Sequence, residues 1–346
     1  MERVKPLGLP VAWLVATMSN GRPNAPVAWR PQHTSLHAPV RYCPPERFRM
    51  DPALDAILEH SRRRYEAQRG DACSRHDPAT CRATCDCREC FTHFYYHEQH
   101  TGARPRMACA PGPECRRFRE LHTVVHTATA AKHIDLLLTR AVSQGFLDAK
   151  SMFSARDGVA ASFGCGGAAD LLGCLSWASR NYGQHDASRL VLRGCDVVPG
   201  WFDIGAEGVA LTLGDTAPWT RAVLYQFSAV PRVPTDADLM MFEGADIALF
   251  SWVLSILAEE GILADVWRRI VARLRPGAVI VITDRWEPAA FNPALASLVD
   301  SDPRLESAWG VVSFDQVLMD YQFKPAVRLH KPRGKYRASG VVARVV

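Results

Sequence analysis

Residues 159–170, Val159-Ala-Ala-Ser-Phe-Gly-Cys-Gly-Gly-Ala-Ala-Asp170, decide the fold. A short apolar run of small residues predicts a buried strand. It ends in a turn of tiny residues, and Asp170 then opens a helical pattern with Leu171, Leu172, Leu175 and Ala178 on one side. Strand, glycine turn and helix N-terminus together make a cradle for a nucleotide-like ligand. The glycines admit close approach to backbone N–H groups, and the helix dipole favours negative charge.

Outward from this unit, strands and helices alternate. Ile134, Leu137, Leu138, Ala141 and Phe146 mark an amphipathic helix leading into the Val159 strand. Leu190–Cys195 is a second strand, ending at Asp196. Ala222–Val230, Ala245–Ser251 and Ala278–Thr283 are a third, fourth and fifth, and Val341–Val346 is a last one. Ile262, Val266, Ile270 and Leu274 place a helix over 262–274. This alternation specifies a doubly wound, mostly parallel α/β sheet with helices on both faces.

The chain of 346 residues carries a formal charge of +5, unevenly placed. Residues 1–150 hold 22 Lys and Arg against 15 Asp and Glu, while the remainder holds 19 against 21. The basic half suits nucleic acid or another anionic surface, and equally an ordinary solvated Arg-rich face. No apolar run reaches bilayer-spanning length; the nearest, Leu7–Met18, is interrupted by Pro10 and lacks a small-residue cleavage site. A soluble intracellular protein, cytoplasmic or nuclear, with no membrane partner is expected.

Two ligands compete for the glycine turn. Gly164-x-Gly166-x-x-Ala169 approximates the dinucleotide pattern, which wants an acidic residue about 20 positions further on. Asp196 lies 30 past Gly166, and a longer first helix and loop absorbs the difference, so spacing alone leaves both open. The downstream half adds a resemblance. Leu274-Arg275-Pro276-Gly277 before the fifth strand, Asp246–Ser255 around the fourth, Gly164-Cys165-Gly166 and Asp196 resemble, in order, the motifs of class I S-adenosylmethionine-dependent methyltransferases. The resemblance covers about residues 130–346 and implies a seven-stranded, mostly parallel sheet. It also implies that S-adenosylmethionine is bound by Phe163, Gly164, Cys165, Gly166, Asp196, Val197, Phe250 and Ser251, with Asp196 on the ribose hydroxyls.

Within that superfamily, Gly164-Cys-Gly-Gly-Ala-Ala-Asp-Leu-Leu-Gly173 is similar to the Gly-Gly-Gly-Pro-Gly-Ser-Asp-Leu-Leu-Gly motif of rRNA uridine-N3 methyltransferase-like proteins, and Trp201 follows Asp196 as a Trp does there. This implies an RNA acceptor. Two positions depart from the superfamily pattern. Ser162 stands where an Asp or Glu is usual, two residues before the first glycine, and Ala168 occupies the third glycine position. They keep open a degenerate fold acting as a binding module, beside a methyltransferase for a small molecule or a protein. No catalytic set is visible, and His122, His126 and His133 read as ordinary helix residues.

Seven of the eleven cysteines lie between Cys73 and Cys115, interleaved with histidines. In a chain of this size that favours metal over disulfides. Cys73, Cys81, Cys85, Cys87, Cys90, His93, Cys109 and Cys115 form the expected ligand set, enough for two closed tetrahedral Zn²⁺ sites; one site with spare cysteines is the simpler alternative. The spacing from Cys81 to Cys90 is not that of a radical iron–sulfur site. The expected organisation is an extended Pro/Arg-rich arm over 1–50, a helical and zinc-binding region over 51–129, and the methyltransferase-like domain over 130–346. A late stretch of Lys324, Arg328, Lys331, Arg333, Lys335 and Arg337 with Tyr321 and Tyr336 suits phosphate contact and base stacking, or a solvated loop.

Overall fold

The structure is a computed structural model that describes residues 60, 63, 116–143, 145–148, 157–181, 189–212, 223–285, 297–313 and 337–346. The chain divides into two units, Met1–Cys43 and Pro44–Val346, and all described residues belong to the second. The arm, the eight expected zinc ligands and the basic stretch from Tyr321 to Tyr336 lie outside the described residues.

The small residues of β1 (Gly158–Phe163) are buried along its whole length. It pairs in parallel with β2 (Leu190–Asp196) on one side and β4 (Ile247–Ser251) on the other. Outside β2 lies β3 (Val223–Ala229), and outside β4 lies β5 (Val279–Arg285), both parallel to their neighbours. β6 (Leu305–Ser313) and β7 (Arg337–Val345) complete a seven-stranded sheet in the order β3-β2-β1-β4-β5-β7-β6. Strand β7 runs antiparallel to both β5 and β6, so the sheet is mixed, with five strands parallel in sequence. β6 has no counterpart in the sequence reading, and β7 begins four residues before the expected Val341.

Both faces of the sheet are covered, which explains why its strands read as continuous apolar runs rather than alternating ones. Ala160 of β1, Leu192 of β2, Ile247 and Leu249 of β4, and Val279 and Val281 of β5 face one core. That core is closed by α1 (Arg116–Ser143) and α2 (Ala169–Asn181) through Ile134, Leu138, Leu171, Leu172 and Trp177. The alternate residues Ala161, Phe163, Ala248, Phe250, Ile280 and Ile282 face a second core. There α5 (Leu263–Val271) supplies Leu263, Val266, Trp267, Ile270 and Val271, the i, i+3, i+4, i+7 stripe of an amphipathic helix. Two further helices join strands: α3 (Phe202–Thr212) follows β2, and α4 (Leu254–Glu259) follows β4.

α1 and α2 approach very closely. A Cβ at Gly173 would lie 2.2 Å from the carbonyl oxygen of Ala131, so only glycine permits this crossing. At the far end α1 rests on β7, where Gly340 leaves room for Leu137. α1 is a single helix across residue 130.

The Leu274–Gly277 turn lies at the N-terminal ends of the strands. The carboxylate of fully buried Asp246, just before β4, accepts the Val159 N–H at 2.8 Å and pairs with the Arg275 guanidinium. Arg275 therefore knots β1, β4 and the turn before β5, at the sheet edge opposite the ends of β1, β2 and β4. Among the described residues no helix is long and apolar enough to cross a membrane.

Candidate functional site

The chain leaves β3 and returns to the sheet on the other side of β1, so the strand order reverses between β1 and β4. A crevice beyond the carboxyl ends of the strands at such a point is where open α/β sheets take ligands. Four segments meet there: the turn Gly164–Ala168 after β1, the residues after Asp196 on β2, Trp252-Val253 after β4, and the N-terminal turns of α1.

The turn is held in a strained shape. Gly164 and Gly166 have φ of +65° and +49°, and Ala168 has φ of +62°. Trp252 also has φ of +62°; it and Ala168 are the only two non-glycine residues in the left-handed region among those described. Each costs on the order of 1 kcal/mol, and strain of this kind gathers where the surroundings fix a geometry for use. The Trp252 N–H donates to the Thr283 carbonyl at 2.8 Å, which holds the turn after β4 in place.

Asp196 braces the glycine turn from β2. One oxygen of its carboxylate accepts the Gly166 N–H at 3.0 Å and the other accepts the Val198 N–H at 2.9 Å. The group is 9% exposed. Burial raises its pKa, and these backbone donors work against the rise. A carboxylate has room for about four donors, so acceptor capacity remains for a ligand. Next to it, Val197 is 54% exposed. A Cβ at Gly166 would meet no atom within 4 Å, whereas one at Gly164 would lie 2.6 Å from Val253 Cγ2. Gly166 is the open wall of the cradle; Gly164 is closed by the segment after β4.

The remaining expected ligand residues divide by the register of their strands. Phe163 and Phe250 point into the second core beside Phe242, with Phe250 stacked on Phe242 at 6.2 Å between ring centroids. They can meet a ligand only through backbone. Cys165 is buried, and its thiol pKa is pushed well up, first by burial and then by Asp196. Ser251 is half-buried and its Oγ accepts from Thr283 Oγ1 at 3.0 Å.

Ser162 has a carboxylate partner from another element. Asp170, at the head of α2, reaches back so that its Oδ2 accepts the Ser162 hydroxyl at 2.5 Å, while its Oδ1 accepts the Leu171 N–H at 2.8 Å. Both residues are buried. Burial raises the Asp170 pKa to about 6, against the opposing pull of these two bonds. Asp170 was read only as a helix start; its role as partner of Ser162 depends on a contact across eight residues that no local pattern announces.

α1 carries the largest departure from the sequence reading. His122 and His126, read as ordinary helix residues, each lie near a tryptophan of another segment. Their i, i+4 spacing puts them on one face with ring centroids 4.7 Å apart. The His122 ring meets the edge of Trp201, after β2, at 5.1 Å, and the His126 ring lies 6.2 Å from Trp252, after β4. Between them Thr123 would be 3.3 Å from a Cβ at Gly167 in the glycine turn. This face of α1 therefore crosses the mouth of the crevice from one wall to the other. Burial and the neighbouring His126 push the His122 pKa well below its ordinary value. His133, further along α1, is buried among core residues and pushed down to about 4 by burial. Only the shared spacing of His122 and His126 hinted at their position.

No protein-family profile and no curated protein matches the chain. Solved structures do. An S-adenosylmethionine-dependent methyltransferase of Methanosarcina mazei is 12% identical, over 59% of this chain and 97% of that one, with a TM-score of 0.37. Precorrin-6y C5,15-methyltransferase of Geobacter metallireducens is 12% identical, over 57% and 86%, at 0.35. An O-methyltransferase family protein of Burkholderia thailandensis is 13% identical, over 66% and 60%, at 0.36. Among the described residues no three His, Cys, Asp or Glu side chains gather as a metal-binding group.

Proposed function

We propose that the protein binds S-adenosylmethionine in the crevice between β1 and β4 and transfers its methyl group. The observation that supports this best is the braced glycine turn: Gly166 opens onto free space while its N–H is held by Asp196 at the end of β2. The residues fit the cofactor. Gly166 admits it close to backbone, Asp196 offers remaining acceptor capacity to its ribose hydroxyls, and Val197 offers an exposed apolar edge to its adenine. When bound, the cofactor supplies a methyl group on a sulfonium, activated for transfer to a nucleophile. The chain's own part is to orient donor and acceptor and to exclude water, by which positioning alone lowers a barrier substantially.

The acceptor we propose is RNA. The basic balance of residues 1–150 and the Lys/Arg/Tyr stretch before β7 support it. Structural zinc held among Cys73, Cys81, Cys85, Cys87, Cys90, His93, Cys109 and Cys115 would brace the preceding region, and metal content below one zinc per purified chain refutes that part. Closure of Gly164 by Val253 favours a second reading, a degenerate fold whose cofactor cleft is blocked and which serves as a zinc-braced binding module.

Calorimetric titration with S-adenosylhomocysteine separates the two. Binding that Asp196→Ala weakens at least tenfold is expected. Absence of binding by the unaltered chain overturns the methyltransferase reading and leaves the degenerate one.

A further inference from the structure

We propose that His122 and His126 act as one proton-accepting pair beside the methyl-transfer position, so that the acceptor atom is an oxygen or nitrogen that carries a proton. This rests on the S-adenosylmethionine reading above and specifies the chemistry of the same site. The placement carries it. The pair spans the crevice where the strand order reverses, with one imidazole against Trp201 and the other near Trp252, over the glycine turn contacted by Thr123. Trp252 is held in a left-handed conformation by its bond to Thr283, so one wall of this pocket is fixed by strained backbone rather than by a flexible loop.

The chemistry follows from the pair's closeness. Two imidazoles 4.7 Å apart can hold one proton between them, and the first proton opposes the entry of a second. Burial keeps His122 neutral at neutral pH, ready to accept. As the acceptor's lone pair bonds to the methyl carbon, the electrons of the sulfur–carbon bond stay on sulfur. The acceptor's proton passes to the pair, which returns it to solvent. Among the charged and titratable groups of the surrounding elements, Arg119 and Glu120 lie within a turn of the pair on α1, Cys165 sits in the glycine turn, Asp170 opens α2, Asp196 ends β2 and Asp203 opens α3.

S-adenosylmethionine and S-adenosylhomocysteine differ by a methyl group and one positive charge on sulfur. Nuclear magnetic resonance of histidine-labelled full-length protein, titrated with pH in each complex, reads that charge directly. The His122 and His126 resonances, assigned with His122→Gln and His126→Gln, should show an apparent pKa lower by about one unit in the sulfonium complex. Equal pKa values in the two complexes overturn the proposal while leaving cofactor binding intact. Failure of either ligand to bind overturns both this proposal and the function it rests on.

Discussion

Replacing Asp170 with asparagine should raise the stability of the protein at neutral pH. The carboxylate is 1% exposed, and its pKa rises from 3.8 to about 6 on folding, chiefly through burial. The folded chain therefore holds this proton more tightly than the unfolded chain does. The group's contribution to stability is fully present below about pH 4, declines as pH rises, and is lost above about pH 6. A shift of about 2 units amounts to about 3 kcal/mol in all, of which about half falls between pH 5 and pH 8. Asparagine removes this dependence but keeps both contacts: its carbonyl can accept the Leu171 N–H, and its amide can donate to the Ser162 hydroxyl. Urea unfolding of the protein and of Asp170→Asn, at half-unit steps from pH 5 to pH 8, gives the difference directly. Other ionisable groups, such as the ion-paired Asp157, Asp236 and Asp302 whose pKa values are lowered by Arg189, by Arg273 with Arg269, and by Arg304, are common to both chains and cancel. The variant should gain on the parent by about 1–2 kcal/mol across that range. A flat difference, or a variant that loses ground as pH rises, refutes the reasoning that burial beside Ser162 raises the Asp170 pKa on folding.

Gly173→Ala should destabilise the chain by about 3 kcal/mol, read by urea unfolding, because its Cβ collides with the Ala131 carbonyl and forces α1 away from α2. Arg275→Met leaves the buried Asp246 carboxylate without its ion pair and should cost about 3 kcal/mol at pH 7, with much of the loss recovered in Arg275→Met/Asp246→Asn. Ala168→Gly relieves the φ of +62° and should change stability by no more than about 1 kcal/mol in the favourable direction; a clear loss in thermal unfolding would show that the methyl's packing against α3 outweighs the strain. Gly166→Ala should fold with a penalty near 1 kcal/mol yet bind S-adenosylhomocysteine at least tenfold more weakly, since its Cβ enters only the open space of the cradle.

The parallel core of the sheet was legible because its physics is local. Buried parallel strands must be apolar on both faces, and small residues with a glycine turn must follow β1 if a helix is to begin there. What escaped was set by tertiary contact. β6 carries Glu306, Ser307 and Ser313 among its apolar residues and, among the described residues, pairs with β7 alone at the sheet's edge, so it lacks the run that marks the central strands. Phe163 and Phe250 sit at the expected strand ends, but a period of two sends their side chains to the core, and phase cannot be read from strand existence alone. His122 and His126 face the crevice through the direction of α1, which is set by tertiary contacts at Gly173 and Gly340 and, beside residue 122, at Gly167 and Gly200. Ser162 departs from the pattern, and its buried partner Asp170 is out of sight of the local sequence because it is donated by another element.

The insertion of β7 between β5 and β6 constrains the order of assembly. Both neighbours leave the ribosome before the strand that joins them, so each carries an unpaired edge until residues 337–345 arrive. The parallel half, β3-β2-β1-β4-β5, can pair during synthesis, but α1 finds its seat on β7 only when Gly340 arrives. Interrupting the chain ahead of residue 337 would leave a cradle that can still form beside an open β5 edge, ready to recruit a strand from another chain.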